Sequence, residues 1–270
     1  MNDIGFAYLG AFIAGAATGI GALISFISDT RSMYAFASAF SGGAMLWISF
    51  AEIYFTSVLI IQQQFPKNQL GSWIVFITFF SGYLLVKLLD RLIPEPNLNK
   101  LGGQPLGADE VETNELSMMK RTGLLNWIIL AIHNIPEGLA SFVSWSGGMG
   151  AGLIIAIGFH NICEGFCIAA ALNSSRMKKW KTFLYTLLSG FTELIGAGIG
   201  HMIKVGIDQY ENHWPIELVL IIVAGIMTCV SIENLLKQSV IFTTKHELFL
   251  GIFSGMAIMA ITLIILSYFE

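Results

Sequence analysis

One recurrence limits what this 270-residue chain can fold into: runs of about 20 apolar residues follow one another almost from end to end. Each is long enough to cross roughly 30 Å of hydrocarbon as a helix. Eight are expected, at approximately 5–27, 36–61, 70–90, 123–143, 149–172, 182–203, 216–237 and 247–268. With 55% hydrophobic and only 12% charged residues, the composition excludes an ordinary soluble domain. Strands of a membrane barrel alternate apolar and polar residues, whereas "WIVFITFFSGYLLV" (73–86) is apolar on every side. The expected class is therefore all-α, a polytopic membrane protein with eight transmembrane helices.

Basic residues orient such a chain. With the N-terminus outside, twelve of the fourteen Lys and Arg residues fall in or beside cytoplasmic loops, and only Lys67 and Lys204 lie outside. Both termini are then external, and the protein is a multi-pass component of the cell membrane. The first run carries Asp3 where a signal peptide would carry basic residues, and it is too long for a cleaved apolar core, so it reads as a retained helix. Cys163, Cys167 and Cys229 are odd in number and lie within spans, which implies no disulfide framework.

The long hydrophilic stretch from Pro94 divides the membrane domain. Helices 1 to 3 occupy 1–93, a Pro-, Gly- and acid-rich cytoplasmic linker occupies 94–121, and helices 4 to 8 occupy 122–270. The linker holds no histidine or cysteine, so metal sensing is the weaker reading of it.

The two flanking halves resemble each other. "AGAATGIGA" (14–22) aligns without gaps to "SGFTELIGA" (189–197), with Thr18 opposite Glu193. "GGAMLWISFAE" (42–52) corresponds to "AGIMTCVSIE" (224–233), and "FFSG" (79–82) to "IFSG" (252–255). Small residues recur in packed membrane helices, so each match alone is weak. Their common order points to a 3+2+3 arrangement, with an inverted repeat of three helices flanking helices 4 and 5. Such repeats place a binding site at their interface in many transporters.

Helices 4 and 5 carry the chemistry. "AIHNIPEGLA" (131–140) and "GFHNICEGFC" (158–167) repeat the same polar triplet. In each, the histidine and glutamate are i and i+4, with the asparagine one turn from the same glutamate, so all three share one side of the helix. A carboxylate at midspan costs several kcal/mol unless paired, solvated or bound to a cation. Imidazole nitrogen and carboxylate oxygen ligate first-row divalent ions, and amide oxygen can complete a labile shell. The competing reading is a buried hydrogen-bonded network that only fixes helix packing.

With "HNIPEG" (133–138), "HNICEG" (160–165), the "SFAE" of helix 2 and the "SGFTELIG" of helix 6, the chain resembles the ZIP (Zrt-, Irt-like) family of divalent-metal transporters, its bacterial zinc-uptake branch in particular. The resemblance covers essentially the whole sequence. It implies an importer of Zn²⁺, and of Fe²⁺, Mn²⁺, Co²⁺ or Cd²⁺, with a site shared by helices 4, 5 and 6. Its implied ligands are His133, Asn134, Glu137, His160, Asn161, Glu164 and Glu193. Cys163 stands where the family usually has proline, and is either a soft ligand or a small packed hydrophobe.

Glu52 and Glu233 lie off the midplane at corresponding repeat positions. They are either an entrance and exit relay or interface-paired carboxylates. The expected partners are divalent metal ions, as substrate, and the lipid bilayer. No organic cofactor and no nucleic acid are expected, and a homodimer is the assembly considered. An intramembrane metalloprotease is disfavoured because no H-E-x-x-H helix occurs, so the chain is not read as an enzyme. The alternative is a proton-linked carrier or channel whose carboxylates bind no metal.

Overall fold

The computed structural model describes residues 3–27, 31–65, 69–92, 124, 127–143, 145, 150–174, 176–207, 214–242 and 245–266. These are almost wholly helical. In chain order, α1 is Asp3–Ile27; α2 is Arg31–Trp47, continued by a π-helical segment Ile48–Tyr54 and by Phe55–Gln64; α3 is Leu70–Leu92; and α4 is Trp127–Val143. α5 is Gly150–Ser174; α6 is Lys179–Ile207; α7 is Trp214–Val230, continued by a π-helical segment Ser231–Leu236 and by Lys237–Phe242; and α8 is Lys245–Leu266. The linker 94–121 lies outside the described residues, as do Lys67 and His213.

Among the described residues, six helices are long and apolar enough to cross a membrane: α1, α2, α3, α6, α7 and α8. α4 is shorter and is bounded by residues outside the described set. α5 has 25 residues but is not one of the six. Large side chains such as Ile13, Phe55, Trp73, Ile77, Leu84 and Phe253 are more than half exposed. So much outward apolar surface is untenable in water and suits a lipid environment.

Inside, small residues allow close helix packing. α1 packs against α5 and α6, α2 against α8 and α5, and α3 against α7. A β-carbon at Gly165 would collide with the backbone of Thr18, and one at Gly138 with the backbone of Glu193. Gly21 meets the Ile162 carbonyl as Gly196 meets that of Ile135. In the other helices, Gly43 lies against Ile252 and Gly225 against Phe79, while Gly82 lies against Ile222 and Gly255 against Phe40. Each pair of contacts maps onto the other through the correspondences of Thr18 with Glu193, Gly43 with Gly225 and Phe79 with Ile252.

The π-helical segments follow the same pattern. Ser49 Oγ donates to the Met45 carbonyl at 2.7 Å, and Ser231 Oγ to the Met227 carbonyl at 2.8 Å. A serine that bonds back by four residues bends a helix, and a π-turn accommodates one extra residue in the ladder. Glu52 and Glu233 sit in these segments.

Candidate metal centre

The spacing of the two triplets does what the helix period requires. His133, Asn134 and Glu137 on α4 and His160, Asn161 and Glu164 on α5 are all buried, as is Glu193 on α6. His133 Nε2 and His160 Nε2 both donate to one oxygen, Oε1 of Glu137, at 3.1 and 2.7 Å. His133 Nε2 also lies 3.8 Å from Glu164 Oε1, so this one imidazole nitrogen sits between Glu137 and Glu164. Ser41 Oγ of α2 reaches the same Glu164 oxygen at 3.5 Å.

The asparagines are oriented by backbone carbonyls of neighbouring helices. Asn134 Nδ2 donates to the Ser189 carbonyl of α6 at 2.9 Å, and Asn161 Nδ2 to the Ala14 carbonyl of α1 at 3.0 Å. Ala14 and Ser189 are matching positions in the aligned segments of helices 1 and 6. Asn161 Nδ2 also donates to Glu193 Oε1, which draws the third glutamate to the group. With their amide hydrogens held by these carbonyls, Asn134 and Asn161 keep their Oδ1 atoms buried without a donor. Oε2 of Glu137, Glu164 and Glu193 is in the same position. Five acceptor oxygens buried without donors among the described residues are costly as a purely structural network, because each was stripped of water with no hydrogen bond in return.

Ligand atoms of His133, Glu137 and Glu164 lie within 4.8 Å of one another, close enough for one cation to touch all three. An N/O donor set of this kind suits first-row divalent ions.

The comparisons with known proteins decide the family. The model described as "ZIP Zinc transporter" matches residues 97–263. The chain is 34% identical over 266 residues to zinc transporter ZupT of Streptococcus mutans, covering 96% of this chain and 97% of the relative. It is 33% identical to the ZupT of Nitratidesulfovibrio vulgaris, covering 93% and 94%, and 33% identical to that of Clostridium perfringens, covering 98% and 97%.

The chain belongs to the ZIP family. It is accordingly a multi-pass membrane transporter and not an enzyme.

The remaining candidates are dispersed. Glu233 is paired with Lys87 Nζ of α3 at 2.9 Å and accepts from Tyr83 Oη at 3.3 Å, away from the buried centre. Glu52 is half-buried in the π-helical segment of α2. Cys163 is half-buried and packs against the apolar cluster of Ala37, Phe166, Cys167 and Ala170, outside the group formed by His133, Glu137 and Glu164. His201 accepts or shares a proton with Tyr8 Oη at 3.1 Å and stacks on Phe142.

Two contacts had no counterpart in the sequence reading. Ser57 Oγ donates to Glu217 Oε2 at 2.6 Å, joining the C-terminal part of α2 to the start of α7. Ser41 reaches Glu164, as described above. A signal for Ser41 was available: it immediately precedes Gly42 and Gly43 in the aligned segment of helix 2. A lone serine in a membrane helix carries too little information to single it out.

Proposed function

We propose that this protein imports divalent transition metals, Zn²⁺ foremost, into the cytoplasm through the buried centre between α4, α5 and α6. Fe²⁺, Mn²⁺, Co²⁺ and Cd²⁺ are secondary substrates of the same N/O donor set. The ligands are His133, Glu137 and Glu164 for one position. His160, Asn134, Asn161, Glu164 and Glu193 supply the ligands of a second position beside it. The carrying observation is the set of five donorless acceptor oxygens on the two motifs and Glu193, together with His133, Glu137 and Glu164, whose ligand atoms lie within 4.8 Å of one another. A cation supplies the missing positive charge.

In this reading the chain crosses the membrane eight times with both termini outside, as the distribution of basic residues implies. The paired glycine contacts and the two π-helical segments support a 3+2+3 inverted repeat, with the site where the halves meet. Glu52 and Glu233 are entrance and exit carboxylates. On the inner side Lys87 holds Glu233 as a counter-ion until a metal ion arrives. A homodimer is compatible with this arrangement.

Zinc content tests the reading against a proton carrier. Protein purified without chelator from zinc-supplied cells should retain zinc, and a Glu137→Gln, Glu164→Gln double variant should not. A metal-free wild-type protein that moves protons across vesicles would favour the carrier.

A further inference from the structure

Beyond Glu164 the seam between α2 and α5 changes character. The two helices run past each other so that Ser41 opposes Glu164 and, one turn along α5, Ser38 and Tyr34 oppose Cys167. Ser38 Oγ is 3.2 Å from Cys167 Sγ, and the Tyr34 carbonyl is 4.0 Å from it. Cys163 precedes Cys167 by one turn, so the two thiols project from the same edge of α5. Both pack in one small cluster with Met33, Tyr34, Ala37, Phe166 and Ala170.

Three sulfur-bearing residues, Cys163, Cys167 and Met33, thus belong to or pack against one cluster, and sulfur is the softest ligand atom a protein can offer. Beside Cys167 sit the Ser38 hydroxyl and the Tyr34 backbone carbonyl. Hard ions gain little from such a set, whereas Cd²⁺, Zn²⁺ and Cu⁺ prefer it. It starts next to Glu164, on the side of the site toward which α2 begins. An ion leaving the N/O centre along this seam meets sulfur as its next ligand.

We infer that Cys163, Cys167 and Met33 form a soft-cation subsite adjoining the N/O centre on the α2–α5 seam. A thiophilic divalent ion binds there with loss of two thiol protons: M²⁺ and two Cys–SH give a dithiolate-bound ion and two H⁺, with Met33 as a neutral third ligand and no change of oxidation state. The subsite rests on the proposed transport reading for its supply of ions. It deepens that reading by making the protein selective for soft ions on one side of the site.

Cadmium is the probe. Purified full-length protein titrated with Cd²⁺ to a small excess should develop a near-ultraviolet sulfur-to-cadmium charge-transfer band. Cys163→Ser and Cys167→Ser should each reduce it by half or more, the double variant should abolish it, and Cys229→Ser should leave it intact. Mn²⁺ should give no such band. Should the double variant fail to fold, X-ray absorption at the cadmium edge of the wild-type protein gives the answer directly. Sulfur in the cadmium shell supports the subsite, and a shell of nitrogen and oxygen alone overturns it. Failure of the transport reading is distinct: it would show as vesicles that take up no metal, whatever the band.

Discussion

His160 Nε2 of α5 lies 2.7 Å from Glu137 Oε1 of α4, and His133 reaches the same oxygen from within α4. One carboxylate oxygen thus ties the two motif helices together while its other oxygen has no donor. The same residue links the two helices and, in the proposed function, offers its free oxygen to the metal.

Glu137→Gln keeps the shape of that link and removes its charge. Zinc affinity should fall by about 100-fold, equivalent to about 2.7 kcal/mol, because a neutral amide replaces the anionic ligand nearest both imidazoles. Isothermal titration of the purified variant measures it. An affinity within about threefold of wild type would remove Glu137 from the ligand set.

Protons and metal compete for the same atoms. Metal binding requires neutral imidazole and ionised carboxylate, so binding releases protons and affinity should weaken steadily as pH falls from about 7.5 to 5.5. Titrations in buffers of different ionisation enthalpy report the protons released. A dissociation constant that does not move over this range would show that neither His133 nor His160 holds the ion.

Packing makes a contrasting prediction for two glycines. A β-carbon at Gly165 would strike the Thr18 backbone, whereas one at Gly158 on the same helix meets nothing within 4 Å. Gly165→Ala should destabilise the folded protein by about 1–3 kcal/mol through overpacking. Gly158→Ala should be neutral or stabilising by up to about 1 kcal/mol, from helix propensity. Thermal unfolding in detergent distinguishes them, and equal effects would argue against close contact of α1 and α5.

The orientation is checked on α6. Single cysteines placed at Lys178 and Gly206, both exposed and at opposite ends of α6, should label from the inside only and the outside only, respectively. The reverse pattern would turn the importer around.

The candidate metal centre could be picked out in the sequence because its period is local. Residues at i, i+1 and i+4 fall on one side of any helix, so the two triplets declared their shared face without knowledge of the fold. The common order of the small-residue segments carried the correspondence of the halves, and the contacts of Gly138 with Glu193 and of Gly165 with Thr18 follow it. What stayed hidden depends on helices meeting across the chain. The Lys87 partner of Glu233, the Ser57 partner of Glu217 and the reach of Ser41 to Glu164 have no periodic signature. The π-helical segments had a faint one. Glu52 follows Ser49 by three residues, while Glu233 follows Ser231 by two, a misfit of one residue that falls within the wider turns.

The central claim is that metal passes through the paired motif, and uptake by reconstituted vesicles tests it most directly. Zn²⁺ accumulation should be compared for the wild-type protein, for Glu164→Ala reconstituted at equal amount, and for empty vesicles. The account predicts that the wild type accumulates Zn²⁺ and that Glu164→Ala stays at the level of empty vesicles. Uptake by Glu164→Ala at the wild-type rate would contradict it.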